Sequence, residues 1–171
     1  MGKPRAEPSA AARSPQEAAR ASSQRARLIG ELRRALLAEF GARAIYRRLE
    51  RLARDGELAR VLAGFAQEEE RQIELLRASL TSLGAGPARG SLRRTLLAEA
   101  LAWTSPLVGI RPVLRICLEA EDTSARRYAY FQERLAQLGE RESALACGEL
   151  ALTKRRHAQA LYAWVENAPR R

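Results

Sequence analysis

The chain has 171 residues, 46% of them apolar and only 5% aromatic, enough for one domain with a single core and too apolar for a long disordered polymer. Ala, Leu, Arg and Glu outnumber the β-branched and aromatic residues that strands draw on, which argues against an all-β sandwich. Thirty basic against 20 acidic side chains give a net charge of +10, a balance that favours acidic partners or surfaces.

The charge is concentrated at the two ends. Residues 1–27 carry six bases against Glu7 and Glu17, and residues 151–171 carry five against Glu166. No basic stripe with interleaved aromatics is present, so nucleic acid is not an expected partner. No run of 18 apolar residues is present either, so no bilayer span is expected. Residues 1–25, with Pro4, Pro8 and Pro15 among Ala, Arg and Ser, read as a disordered basic tail, an organelle transit peptide being the alternative. Cys117 and Cys147 form no CxxC pair and suit a reducing, cytoplasmic compartment.

Beyond the tail the apolar spacing is helical, and turn residues divide it. The spacing predicts helices at 25–53, 57–82, 91–103, 110–138 and 141–165. The breaks fall at Asp55-Gly56, at Gly84-Ala85-Gly86-Pro87 with Gly90, at Thr104-Ser105-Pro106 and at Gly139. Helices joined by a turn of two or three residues run antiparallel. The expectation is therefore an all-α, ferritin-like four-helix bundle over 26–166, made of two antiparallel hairpins with a short amphipathic helix between them and a basic tail at 167–171.

The inward stripes, written at alternating spacings of three and four, locate the chemistry. The first helix presents Leu32, Ala35, Glu39, Ala42, Tyr46 and Leu49. The second presents Leu58, Leu62, Phe65, Glu69, Gln72, Leu76 and Leu80. The third runs Leu114, Cys117, Glu121, Ser124, Tyr128, Phe131, Leu135, Leu138, and the fourth Cys147, Leu150, Lys154, His157, Leu161, Trp164. Each is apolar except near its middle. Glu39 and Gln72 lie 17 and 16 residues from Gly56, and Glu121 and His157 each lie 18 from Gly139, so each hairpin brings its polar residues level. Glu39-x6-Tyr46 recurs as Glu121-x6-Tyr128, and Glu69-x-x-Gln72 is echoed by Lys154-x-x-His157. Six polar side chains are thus expected to meet at one depth. A helical phase shifted by one residue would instead leave the glutamates on a solvated edge beside Glu68, Glu70 and Arg43.

One Glu from each of two helices and a Glu-x-x-His from each of the other two form the di-iron or di-manganese site of ferritin-like bundles, because residues three apart on a helix point the same way. Here the positions read Glu39, Glu69-Gln72, Glu121 and Lys154-His157. Within the ferritin-like superfamily the chain resembles the demethoxyubiquinone hydroxylases. Glu39-Phe40-Gly41-Ala42-Arg43-Ala44-Ile45-Tyr46 is similar to that family's first-helix signature, and Ala120-Glu121 followed by Tyr128 to its third, over roughly residues 30 to 165. The resemblance implies O2-dependent hydroxylation of a quinone precursor at a carboxylate-bridged di-iron centre, on a bundle docked peripherally at an inner membrane. It implies Glu39, Glu69, Glu121 and His157 as metal ligands, Tyr46 and Tyr128 beside them, and Gln72 and Lys154 at positions where the family has His and Glu.

Lys154 is the decisive departure. It sets a cation beside the place where two divalent metals would sit, a repulsion of roughly 4 kcal/mol per unit charge at about 4 Å and an effective dielectric near 20. Gln72 is neutral and a poorer transition-metal ligand than imidazole. The expected occupancy is fewer than two ions of iron or manganese, or none, with the Lys154 ammonium among Glu39, Glu69 and Glu121 in their stead. Only Lys3 and Lys154 among the 30 bases are lysines, so a lysine here marks a place for a compact, single-point cation. His157, the only histidine, reads either as a ligand or as a satisfied core residue; Tyr46 and Tyr128 read as core side chains whose hydroxyls pair with polar groups. Cys117 and Cys147 read as small buried hydrophobes.

Residues 91–118, with leucines interspersed by Arg93, Arg94, Arg111 and Arg115, either cover the bundle end or meet a lipophilic quinone or an anionic membrane. The expected function is a non-catalytic structural, regulatory or lipid- and quinone-binding role. The alternatives are a metal-dependent oxidoreductase using Glu39, Glu69, Glu121 and His157, and a basic interaction module acting through the Arg-rich ends; a homo-oligomer fits any of these.

Overall fold

The computed structural model describes residues 14–86 and 109–167, and the helix expected at 91–103 lies outside them, as do residues 1–13 and 168–171. Among the described residues there are four helices and no strand: α1 Pro15–Leu52, α2 Gly56–Ser82, α3 Ile110–Gln137 and α4 Arg141–Asn167. The all-α bundle of two hairpins expected from the sequence is what forms.

Local chemistry sets the ends. Asp55 caps α2 by accepting from the backbone N–H groups of Glu57 and Leu58. Gly84 and Gly139 adopt positive φ, and each closes its helix with a pair of backbone bonds, Ala85 N to Leu80 O with Gly84 N to Thr81 O, and Glu140 N to Leu135 O with Gly139 N to Ala136 O. An L side chain would be strained at either position. The start of α1 differs from the expectation by ten residues. Ser14 Oγ accepts from Glu17 N while Glu17 Oε2 accepts from Ser14 N, a capping box with Pro15 in the first turn. Because no described residue before Leu28 is buried, this first stretch has no apolar stripe to betray it.

Polar contacts tie the two ends of the bundle. Arg25 pairs with Glu140 at 2.8 Å and the hydroxyls of Ser82 and Ser143 meet at 3.1 Å at one end, which we call the lower. At the upper end, Arg111 donates to the Val165 carbonyl at 2.5 Å. Thus α1 and α4 run upward, and α2 and α3 both run downward. Beyond the hairpins, α2 packs on α4 and α1 on α3, so every neighbouring pair is antiparallel.

The core is divided in two. The lower cluster contains Leu32, Leu36, Ile73, Leu76, Phe131, Leu135, Cys147 and Leu150; the upper one contains Leu49, Leu58, Leu62, Phe65, Val113, Leu114, Leu161 and Val165. Between them lie Glu39, Glu69, Gln72, Glu121, Lys154 and His157, none more than 3% exposed. The expected stripes are buried except at Ala42, Ser124, Leu138 and Trp164, which are half-buried at the margins.

Candidate functional site

The bundle brings one polar side chain or more from each helix to its waist. Glu39 comes from α1, Glu69 from α2, Glu121 from α3, and Lys154 and His157 from α4, one turn apart. Lys154 is at the centre. Its ammonium donates to Glu39 Oε2 at 2.5 Å and to Glu69 Oε1 and Oε2 at 2.7 and 2.8 Å, and it lies 3.4 Å from Glu121 Oε2. Its side chain is 1% exposed, so the cation has exchanged its water for these oxygens.

The tyrosines complete the carboxylates crosswise. Tyr46 on α1 donates to Glu121 on α3 at 2.6 Å, and Tyr128 on α3 donates to Glu39 on α1 through a short hydrogen bond. The repeat of Glu-x6-Tyr is thus spent between hairpins, each tyrosine serving the other hairpin's glutamate. Burial foremost, then the facing carboxylates, hold both phenols well above their ordinary value, so they remain neutral donors.

His157 joins the centre to the surface. Its Nε2 meets half-exposed Glu68 at 2.6 Å, while Nδ1 lies 3.4 Å from Glu69 and 3.6 Å from Glu121, neither in line for a hydrogen bond. Its ring stacks on Phe65 with centroids 4.1 Å apart. Glu68 had no assigned role in the sequence; its signal was adjacency to Glu69, which reads equally as a solvated edge. Glu70 is such an edge residue, paired with Arg43 at 2.5 Å and Arg47 at 3.3 Å. The one-residue phase shift is therefore excluded for Glu39, Glu69 and Glu121, which face inward.

Gln72 departs from the expected convergence. It is buried on the same face of α2, yet its amide oxygen and nitrogen make no hydrogen bond, so it stands beside the network without entering it. Cys117 and Cys147 lie in separate apolar clusters, and burial pushes both thiols up to about 12, which leaves them unreactive.

Glu69, Glu121 and His157 each offer a ligand atom, and these atoms lie within 4.8 Å of one another, a group that could hold one metal ion. The set does not fit two ions. The Lys154 ammonium already sits against the three carboxylates that a pair of metal ions would have to share, and it repels a second cation there.

Three inward carboxylates face one ammonium and one imidazole, so even with the imidazole protonated one negative charge is uncompensated. Burial lifts Glu69 to about 8 despite the Lys154 cation, so it takes up a proton more readily than a solvated glutamate does. For His157, burial disfavours the charged ring, but Glu121 and Glu69 outweigh it and raise it to about 9. Burial also opposes ionisation of Glu121, but Lys154, His157 and Tyr46 prevail and hold it below its ordinary value. For Lys154, burial is overcome by Glu39, Glu69 and Glu121, which hold the ammonium above its ordinary range.

No family model, curated protein or solved structure matches this chain. Its chemistry is therefore carried by the geometry at the waist.

Two outcomes follow from that geometry. Lys154→Met strands buried carboxylates and is expected to cost about 3–5 kcal/mol, read as a fall in melting temperature of about 6–20 °C; a loss under about 1 kcal/mol would show that the ammonium does not compensate them. Glu69 and His157 bind protons more tightly folded than unfolded. The stability they contribute is complete at acidic pH and is lost as pH rises, from 4.5 to about 8 for Glu69 and from 6.5 to about 9 for His157. Thermal melts are thus expected to drop by about 5 °C or more between about pH 6 and pH 9, although self-repulsion in a chain of charge +10 weakens in the same direction and predicts the reverse. Glu69→Gln should flatten the slope below about pH 8, and an unchanged slope would assign it elsewhere.

Proposed function

We propose that this chain is a non-catalytic member of the ferritin-like superfamily, related to the demethoxyubiquinone hydroxylases, in which an internal ammonium has replaced the metal pair. The observation that carries the reading is the position of Lys154 Nζ, within 2.5–2.8 Å of Glu39 and Glu69 and 3.4 Å from Glu121. A second observation supports the relationship: α2 ends at the lower end and α3 begins at the upper, so the two hairpins are joined by the single long crossover that ferritin-like bundles use.

In this reading the network is structural, and the protein acts by binding. The resemblance assigns a lipophilic quinone or an anionic membrane to residues 91–118. The described part of that segment supports such a surface: Arg111 and Arg115 flank exposed Ile116, beside the upper end of α4. No described helix is long and apolar enough to cross a membrane, so contact with lipid would be peripheral.

The alternative, an O2-dependent oxidoreductase, is favoured by one observation, the spacing of Glu69, Glu121 and His157. It requires Lys154 to leave the centre. Metal analysis of protein purified without chelator separates the two. The wild-type chain is expected to hold no stoichiometric iron or manganese, whereas Gln72→His with Lys154→Glu, which restores the family's donor set, is expected to take up both ions. Two equivalents in the wild type, lost in His157→Ala with the fold intact, would overturn the proposal in favour of the enzyme.

A further inference from the structure

Among the described residues the most exposed large hydrophobics are Leu145, at 72%, and Leu152, at 61%. Both lie on α4. Seven residues apart, they share its outer face, opposite the stripe that delivers Lys154 to the waist. Glu149 and Arg156 stand on the same face. Arg156 donates only to Thr153 Oγ1 of its own helix, at 3.0 Å, and Glu149 has no partner among the described residues.

The order of charge along this face identifies what covers it. Nearest Leu152, Glu149 precedes it and Arg155 and Arg156 follow it; Arg141, on the same face, lies eleven residues before it and would come level with Ala163. Laid parallel against itself, the helix would set Glu149 on Glu149 and Arg156 on Arg156. Laid antiparallel about a two-fold axis at Leu152, it sets Leu152 against its own symmetry mate. Glu149, three residues before the axis, then comes level with Arg155 and Arg156, three and four after it. Leu145, seven before, comes level with Gln159, seven after, whose aliphatic stem can cover it. A two-fold rotation keeps each side of the helix on its own side, and Glu149 and Arg156 lie on the same side of the leucine ridge, so both copies of the pair close together.

We propose that α4 is a dimerisation helix: two copies of this chain pack antiparallel through Leu145 and Leu152, with reciprocal Glu149–Arg156 ion pairs across the axis. A second copy is the partner because the residues nearest the axis are self-complementary, Glu149 on one side of Leu152 and Arg156 on the other. This surface is independent of the metal question, because it lies on the face of α4 away from the waist.

Sedimentation of the full chain tests it. The wild type is expected to be a dimer at about 100 µM, and Leu152→Glu, which places two like charges on the axis, to weaken association by at least about 100-fold. Helicity and melting behaviour of the isolated subunit should be unchanged, because the side chain is exposed. Leu145→Glu serves as a second variant with the same expectation. Arg156→Glu should weaken the dimer by about tenfold or more, and the exchange Glu149→Arg with Arg156→Glu should restore it to within about threefold. A wild type that stays monomeric, a dimer indifferent to Leu152→Glu, or a double exchange that fails to recover the loss of Arg156→Glu would each overturn the proposal.

Discussion

The structure depends on a charge-assisted contact between the Lys154 ammonium and three buried carboxylates at the middle of four helices. Three acids could not remain ionised in this apolar interior without a cation. In di-metal carboxylate bundles the compensating charge is a pair of metal ions; here it is covalently part of α4. A metal arrives from solution and can leave or change oxidation state, whereas an ammonium on a folded helix does neither. The charge at this waist is therefore fixed in place.

The same contact organises the packing. It separates an upper apolar cluster from a lower one, and because its members come from all four helices it specifies which helix lies beside which. Apolar stripes alone would tolerate alternative rotations of these helices. Glu39, Glu69 and Glu121 accept only an arrangement that returns Lys154 and the tyrosine hydroxyls to them. The crosswise bonds Tyr46–Glu121 and Tyr128–Glu39 tie the first helix of each hairpin to that of the other, across the thinnest of the four antiparallel contacts.

Much of this was legible in the sequence because periodicity and hairpin level are both set by backbone geometry. Polar residues embedded in strongly apolar stripes, level across turns at Gly56 and Gly139, give the waist and four of its helices. The scarcity of lysine among the bases gives the cation. Other features leave no such trace. The first ten residues of α1 bury nothing, so only the Ser14-Pro15-Gln16-Glu17 cap announces them, and the nearby Pro4 and Pro8 counsel the opposite. Glu68 reaches His157 although helical phase places it toward the edge, because a glutamate is long enough to turn inward from a boundary position. Gln72 has the right phase, but phase fixes only the face of the helix and not the reach of an amide. That each tyrosine serves the other hairpin's glutamate is a tertiary fact, which a repeated spacing within each helix cannot reveal.

Because Lys3 and Lys154 are the only lysines, one spectrum can interrogate the central contact. Nitrogen-15 NMR of lysine-labelled protein observes the two side-chain ammonium groups, of which a solvated one exchanges its protons too fast to persist at neutral pH. The account predicts a persistent, slowly exchanging ammonium resonance that is lost in Lys154→Met and still charged at about pH 9. A Lys154 signal that exchanges too fast to persist at neutral pH, or that titrates to the neutral amine below about pH 9, would contradict it.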